Sequence, residues 1–215
     1  MMKIQIWSDV VCPYCYIGKR EFEKALAQFP HRDQVEVEWK SFELDRDAPV
    51  RSPDDMYDHL AKKYGRTRDQ AKEMVRGVVD RARTVGLEYN MEKAVMGSSF
   101  DAHRLIQFAK TKGLGDAAEE RLFKAHFVLG EHIGDKSVLR AIAEEIGLDG
   151  NEAAEMLAGD AFTEAVEADE YEAQQIGVRG VPFFVLDDRY AVSGAQASEH
   201  FLSALNQTWQ ERQAV

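Results

Sequence analysis

Cysteine and proline are scarce in this chain, with two and five among 215 residues, and basic side chains are outnumbered. No apolar run approaches the length that a bilayer-crossing helix needs. Each shortage excludes something. Two cysteines cannot build the disulfide framework of a small secreted scaffold. With 27 Lys and Arg against 38 Asp and Glu, the formal charge is -11, so nucleic acid is disfavoured as a partner, and nothing supports a membrane role. Residues 1–9 hold one basic residue but neither a sustained apolar stretch nor a small-residue cleavage site, so they do not read as a signal peptide. Taken as the natural start, they lead us to expect a cytoplasmic protein. In that reducing compartment a cysteine pair serves catalysis, redox sensing or metal binding more often than scaffolding.

What is present is ordinary globular composition, 45% hydrophobic and 30% charged, long enough for one domain or for a domain carrying a large insertion. Both cysteines fall together in Cys12-Pro13-Tyr14-Cys15. A disulfide there would close a very short loop and restrain little of the unfolded chain, so a dithiol redox centre is the leading reading.

Its surroundings agree. Ile4, Ile6 and Val10 sit at strand spacing from Lys3 onward, which puts Cys12 at the carboxyl end of a strand. From Pro13, a residue suited to the first helical turn, Ile17, Phe22, Ala25, Leu26 and Phe29 have helical spacing up to Pro30. Val35, Val37, Trp39 and Ser41 alternate with Glu36, Glu38 and Lys40 as a second strand. Strand, helix, strand suggests a parallel pair with a right-handed crossover.

Residues 53–177 are helical in period, with six or seven helices expected. Thr67 to Gln70 reads as a capping box for a helix towards Arg83, and Asp116 with Glu119 as the start of another through His126. Ser98 or Ser99 is suited to cap a segment from Phe100 to Lys112, while Gly113, Gly147 and Gly177 stand where helices end. Then come an apolar run from Gly180 to Leu186, a turn at Asp187-Asp188, a short strand at Tyr190 to Val192 and a last helix from Ser198 to about Trp209. Two discontinuous parts, 1–52 and 178–215, thus flank the helical segment. Trp7, Trp39 and the phenylalanines are core by default.

A helix N-terminus stabilises negative charge, and a thiol reacts as its thiolate. Cys12 occupies that position and is the candidate nucleophile. Cys15, one turn on, is the resolving thiol that attacks a mixed disulfide at Cys12. Pro13 and Tyr14 set the backbone around the sulfurs. A zinc site would need two further ligands, and His31, His59, His103, His126, His132 and His200 show no finger-like spacing, so no metal is expected. Val181-Pro182 opens a buried apolar strand, where a cis peptide beside the dithiol would present Val181 and Pro182 to a substrate. Asp9 is a candidate proton acceptor for Cys15, and His103 and Arg104 are candidates to face the pair; a turn residue and a solvated pair are the plainer readings.

Ser8 to Gly18 with its Cys-Pro-Tyr-Cys, Asp101 to Leu105, Gly180 to Val185 and Val192 to Gln196 together resemble the FrnE-like branch of the DsbA-type thioredoxin oxidoreductases, over nearly the whole chain. The resemblance implies an α/β thioredoxin fold with a large all-helical insertion, a cis Pro182, and dithiol-disulfide oxidoreductase or isomerase activity in the cytoplasm. Three positions depart from the pattern: Tyr14 stands where Trp is frequent, Ser98 where Asn is, and Asp45-Arg46 where Asn-Pro is. Cys-Pro-Tyr-Cys is also the glutaredoxin tetrapeptide, which leaves glutathione open as a thiol co-substrate although no bound cofactor is expected. The expected partner is a protein or small-molecule thiol or disulfide, with an unknown recycling partner and a homodimer left open. Two other readings compete: a glutathione-dependent transferase or isomerase of the kappa or 2-hydroxychromene-2-carboxylate isomerase type, and a redox-sensing or chaperone-like binding protein.

Overall fold

A computed structural model describes residues 1–213. Strand β1 (Met2–Ser8) lies inside a four-stranded sheet of order β2-β1-β3-β4, where β2 is Val35–Ser41, β3 is Phe183–Leu186 and β4 is Tyr190–Ser193. β1 runs parallel to β2, with Ile6 opposite Trp39, and antiparallel to β3, with Ile6 opposite Phe184. The parallel pair and the closing hairpin are as expected from the sequence. The hairpin turns through Asp187 and Asp188 at φ of 52° and 55°, a left-handed pair that Asp tolerates better than most residues.

Strand β1 is covered on both faces, so its alternation is only partly readable. Ile4 and Ile6 share a core with Phe22, Phe29, Phe184, Phe201 and Leu205, contributed by α1 (Pro13–Gln28) with its C-cap residue Phe29, by β3 and by α9 (Ser198–Gln213). Trp7 points the other way, to Ala173 and Val178, and its indole N–H donates to the Asp169 carbonyl at 2.9 Å.

Between β2 and β3 lie seven α-helices: α2 (Met56–Tyr64), α3 (Arg68–Arg83), α4 (Phe100–Thr111), α5 (Gly115–Lys124), α6 (Lys136–Glu145), α7 (Gly150–Ala158) and α8 (Thr163–Gln175). The capping box of α3 is formed in both directions. Gly113, Gly147 and Gly177 follow α4, α6 and α8 at φ of 72°, 93° and 78°, the left-handed conformation that glycine adopts without a Cβ penalty. At α4 it is Ser98 whose hydroxyl accepts from the Phe100 N–H, at 3.2 Å.

Two expectations need correction. Asp116 does not open α5, which starts at Gly115 behind Leu114; its carboxylate accepts instead from the Trp39 indole at 3.0 Å. Nor does a regular helix reach His126, because the chain passes into one π-type turn over Ala125–Leu129. Buried apolar contact with neighbouring helices decides the backbone there, and local periodicity does not report it.

The insertion is fixed to the sheet through Asp169 of α8. Its carboxylate accepts from Lys40 Nζ at 2.8 Å, from the Ser41 N–H at 3.0 Å and from Gln107 Nε2 at 2.6 Å. Over the other end, the 49–52 segment pairs with 96–98 through the Ser52 N–H to Met96 O and the Ser98 N–H to Pro49 O, both 2.8 Å. Gly97 permits that approach, since a Cβ there would sit 2.2 Å from the Val50 carbonyl oxygen. Among the described residues no helix is long and apolar enough to cross a membrane.

Candidate active site

The chain leaves β1 at Ser8 and turns through Asp9 to Val11, with the Cys12 N–H donating to the Asp9 carbonyl at 2.9 Å. Cys12 thus stands at the strand-to-helix junction expected from the spacing, four residues beyond β1, as the N-cap of α1 with Pro13 in the first turn. Its extended backbone aims the side chain across to the Val181 carbonyl, with Sγ 3.6 Å from the oxygen. The Val181-Pro182 peptide is cis. Gly18 brings α1 against this segment: a Cβ there would stand 2.9 Å from Pro182 Cγ.

Both cysteines are free thiols, and they differ in access. Cys12 is 5% exposed and borders a cleft of about 690 Å³; Cys15 is 1% exposed. Burial pushes the Cys15 thiol well above its ordinary range, and the hydrogen bond and charge of Cys12 push the same way. Tyr89 braces the helix start, its hydroxyl donating to the Pro13 carbonyl at 2.7 Å, while Tyr14 is exposed at the cleft.

Behind the pair lies a buried polar cluster. Asp9 accepts from the Leu44 N–H at 2.7 Å and from the Val11 N–H at 3.3 Å, and its Oδ1 is 3.3 Å from His103 Nε2. Burial opposes the charged Asp9 carboxylate, yet His103 and the Leu44 N–H together hold it below the ordinary carboxylate value. His103 responds in kind: burial lowers it, but Asp9 outweighs burial and raises it to about 8. Glu119 of α5, also fully enclosed, accepts from the Ser8 hydroxyl at 2.6 Å, and burial lifts its carboxyl to about 7. Glu43 is likewise raised to about 7 by burial. His126 is kept neutral by burial, which lowers it to about 4; neither ring nitrogen has a partner among the described residues.

The structure thus gathers Cys12, Pro13, Tyr14, Cys15, Val181 and Pro182, with Asp9 and His103 behind them. Arg104 is not brought there. One residue on from His103 along α4, it faces away and donates to the carbonyls of Met156, Gly159 and Ala161 at 2.7, 2.7 and 2.8 Å, tying down the end of α7. Helical geometry separates adjacent side chains by about 100°, so one of two neighbours had to turn elsewhere. Sequence reasoning missed Glu119, Ser8 and Glu43. The sequence presents Glu119 as a capping residue, and no local signal distinguishes it from its neighbours Asp116 and Glu120.

Comparison with known proteins agrees with this fold. The profile of the DSBA-like thioredoxin domain matches residues 3–206. The probable DsbA oxidoreductase SCO1869 of Streptomyces coelicolor superposes with a TM-score of 0.92 at 42% identity, over 98% of this chain and 91% of the other. A 2-hydroxychromene-2-carboxylate isomerase shares the fold, with a TM-score of 0.73 at 16% identity over 99% and 98% of the two chains. YwbO of Bacillus subtilis strain 168, an uncharacterised protein, is 30% identical over 205 residues, 94% of this chain and 95% of its own. The profile match over residues 3–206, with a DsbA oxidoreductase as a 42% identical relative, shows that the chain belongs to the DSBA-like thioredoxin domain family.

Proposed function

We propose that the protein is a thiol-disulfide oxidoreductase or disulfide isomerase working through Cys12 and Cys15. One observation carries the reading: Cys12 caps the start of α1, borders the cleft and lies 3.6 Å from the Val181 carbonyl, with its partner thiol one turn behind. Cys12 as thiolate attacks a substrate disulfide, releasing one substrate thiolate and leaving a mixed disulfide. Cys15 gives up its proton, attacks Cys12 Sγ and frees the second substrate thiolate. Burial keeps Cys15 protonated until that step, so the two thiols do not compete for substrate. Val181 lines the cleft beside Cys12, with Pro182 next in the chain, which supports them as substrate-facing residues.

For the proton of Cys15, Asp9 is the acceptor suggested by sequence. Its pairing with His103 makes it a reluctant one, since a carboxylate held ionised binds protons weakly. Glu119, raised towards neutrality and joined to Ser8, is better matched to exchange protons near pH 7.

The test is direct exchange. Cys12→Ser is expected to abolish disulfide exchange with dithiothreitol, insulin or scrambled ribonuclease, and activity retained in that variant would overturn the assignment. Cys15→Ser is expected to accumulate a mixed disulfide on Cys12, detectable as the added substrate mass. The reduction potential of the pair, equilibrated against glutathione, separates the directions: a value near that of thioredoxin means a reductase, and one far more oxidising a disulfide donor. The fold shared with the chromene-carboxylate isomerase supports a second reading, a glutathione-dependent transferase or isomerase. Conjugation of chlorodinitrobenzene that required glutathione and survived loss of Cys15 would favour it.

A further inference from the structure

The geometry points to a low-molecular-weight thiol or disulfide with a neutral, apolar arm as the substrate, the arm lying against α2 and α3 while its sulfur meets Cys12. This rests on the dithiol reading above and adds the class of substrate.

The first ground is enclosure. Cys12 is 5% exposed and borders a cleft of about 690 Å³, within the roughly 300–1,000 Å³ typical of small-molecule sites. The α2 and α3 pair forms one wall, and the loop from Leu44 to Pro49 borders it too. The disulfide of a folded protein would have to enter between them to reach the thiol.

The second ground is the lining. Met56, Leu60, Met74 and Val78 come from α2 and α3, with Met91 and Met96 from the stretch before α4. Methionine is unbranched and polarizable, so such a wall accommodates apolar groups of varied shape. Four of the large hydrophobic side chains that the protein leaves exposed border this one cleft: Tyr14 at 46%, Leu44 at 39%, Tyr64 at 54% and Met74 at 40%. Apolar surface concentrated beside a reactive thiol marks a binding face.

The third ground is charge. The acidic and basic side chains along the cleft are Asp9, Asp45, Asp47, His59 and Lys63. Asp9 is spoken for by His103 and the Leu44 N–H. Against two remaining acids, one lysine and one histidine make no site for the paired carboxylates of glutathione or for an acidic peptide.

In the oxidised protein, the thiolate of such a substrate attacks Cys12 Sγ, the Cys12–Cys15 bond breaks, and Cys15 leaves and takes a proton. A second substrate thiolate attacks the substrate sulfur of the mixed disulfide, releasing Cys12 and a substrate disulfide. Two electrons pass to the protein.

The experiment measures how fast 2-phenylethanethiol, 2-mercaptoethanol, glutathione, dithiothreitol and reduced, unfolded ribonuclease reduce the Cys12–Cys15 disulfide of the full chain. Each rate is divided by that thiol's rate with bis(2-hydroxyethyl) disulfide, which removes intrinsic reactivity. We expect 2-phenylethanethiol to lead glutathione and 2-mercaptoethanol by about tenfold or more, as burial of an aromatic ring allows. Met74→Glu, on the exposed wall, is expected to erase most of that lead. Equal corrected rates, a lead by glutathione or ribonuclease, or a lead untouched in Met74→Glu would overturn the substrate class while leaving the dithiol reading standing. If dithiothreitol also fails to exchange, the dithiol reading itself falls.

Discussion

His103 and Asp9 face each other 3.3 Å apart with almost no access to solvent, and their mutual support has a pH signature. His103 binds its proton up to about pH 8 in the folded chain, against about 6.5 when unfolded. A raised value of this kind gives stability that is complete below about pH 6.5 and disappears as pH climbs through about 8. Glu119 and Glu43, lifted to about 7, act in the same sense, because the unfolded chain releases those protons from about pH 4.5 upward. His126, lowered to about 4, opposes them, but only below about pH 6.5, where the unfolded imidazole takes up a proton. Between pH 6.5 and 8 the signs agree. Stability from urea unfolding is expected to fall over that interval, by roughly 2 kcal/mol for the His103 shift alone. His103→Gln should flatten the slope; an unchanged slope would show that the pair carries no such coupling. The sequence marks Asp9 and His103 as candidates near the dithiol but not their pairing, since an Asp near a turn and a His on a helix are common and only burial turns them into a pair.

At the scale of elements, the contact that sets the site is between α1 and the segment before β3. Gly18 lies on α1 where a Cβ would meet Pro182 at 2.9 Å and the Phe184 ring at 3.5 Å. Gly18→Ala therefore has to push the helix from the strand, and overpacking of this kind costs about 1–3 kcal/mol. The shift acts on the 3.6 Å approach of Cys12 to Val181. We expect a lower unfolding midpoint together with slower disulfide exchange, measured on the same sample. A midpoint change with exchange untouched would mean that α1 moves as a body and carries its cysteines along. Much at this scale was legible. The capping box at Thr67, the three terminal glycines and the alternation of β2 each report a local backbone need that one residue type meets. The start of α5 and the π-type turn were not legible, because side-chain hydrogen bonds to Trp39 and buried packing decide them from a distance.

For the whole molecule, the helical insertion and the sheet behave as one packed unit with Asp169 at the join. Its carboxylate serves Lys40, the Ser41 N–H and Gln107 from inside the protein. Asp169→Ala leaves a buried amide and N–H without that acceptor, although Glu172 still offers Lys40 a contact at 2.9 Å. A loss of about 2–3 kcal/mol is expected in urea unfolding, within a single transition followed alike by far-ultraviolet dichroism and tryptophan fluorescence. Two separated transitions would show instead that the insertion unfolds independently. The order strand, helix, strand, helices, hairpin, helix was readable because each element carries its own period. How the insertion lies on the sheet was not readable, since Asp169 sits among many acids of α8 and nothing local marks it and Glu170 as the buried ones.

The two halves of the site are far apart along the chain: Cys12 and the Val181 carbonyl it approaches are separated by 169 positions. During synthesis from the N-terminus, β1 and both thiols leave the ribosome long before β3 exists to pair with them. Until then the Cys12–Cys15 pair lacks its proline-bearing neighbour. The nascent chain thus exposes reactive sulfur for most of its translation, and a cell that makes this protein must keep that interval reducing or short.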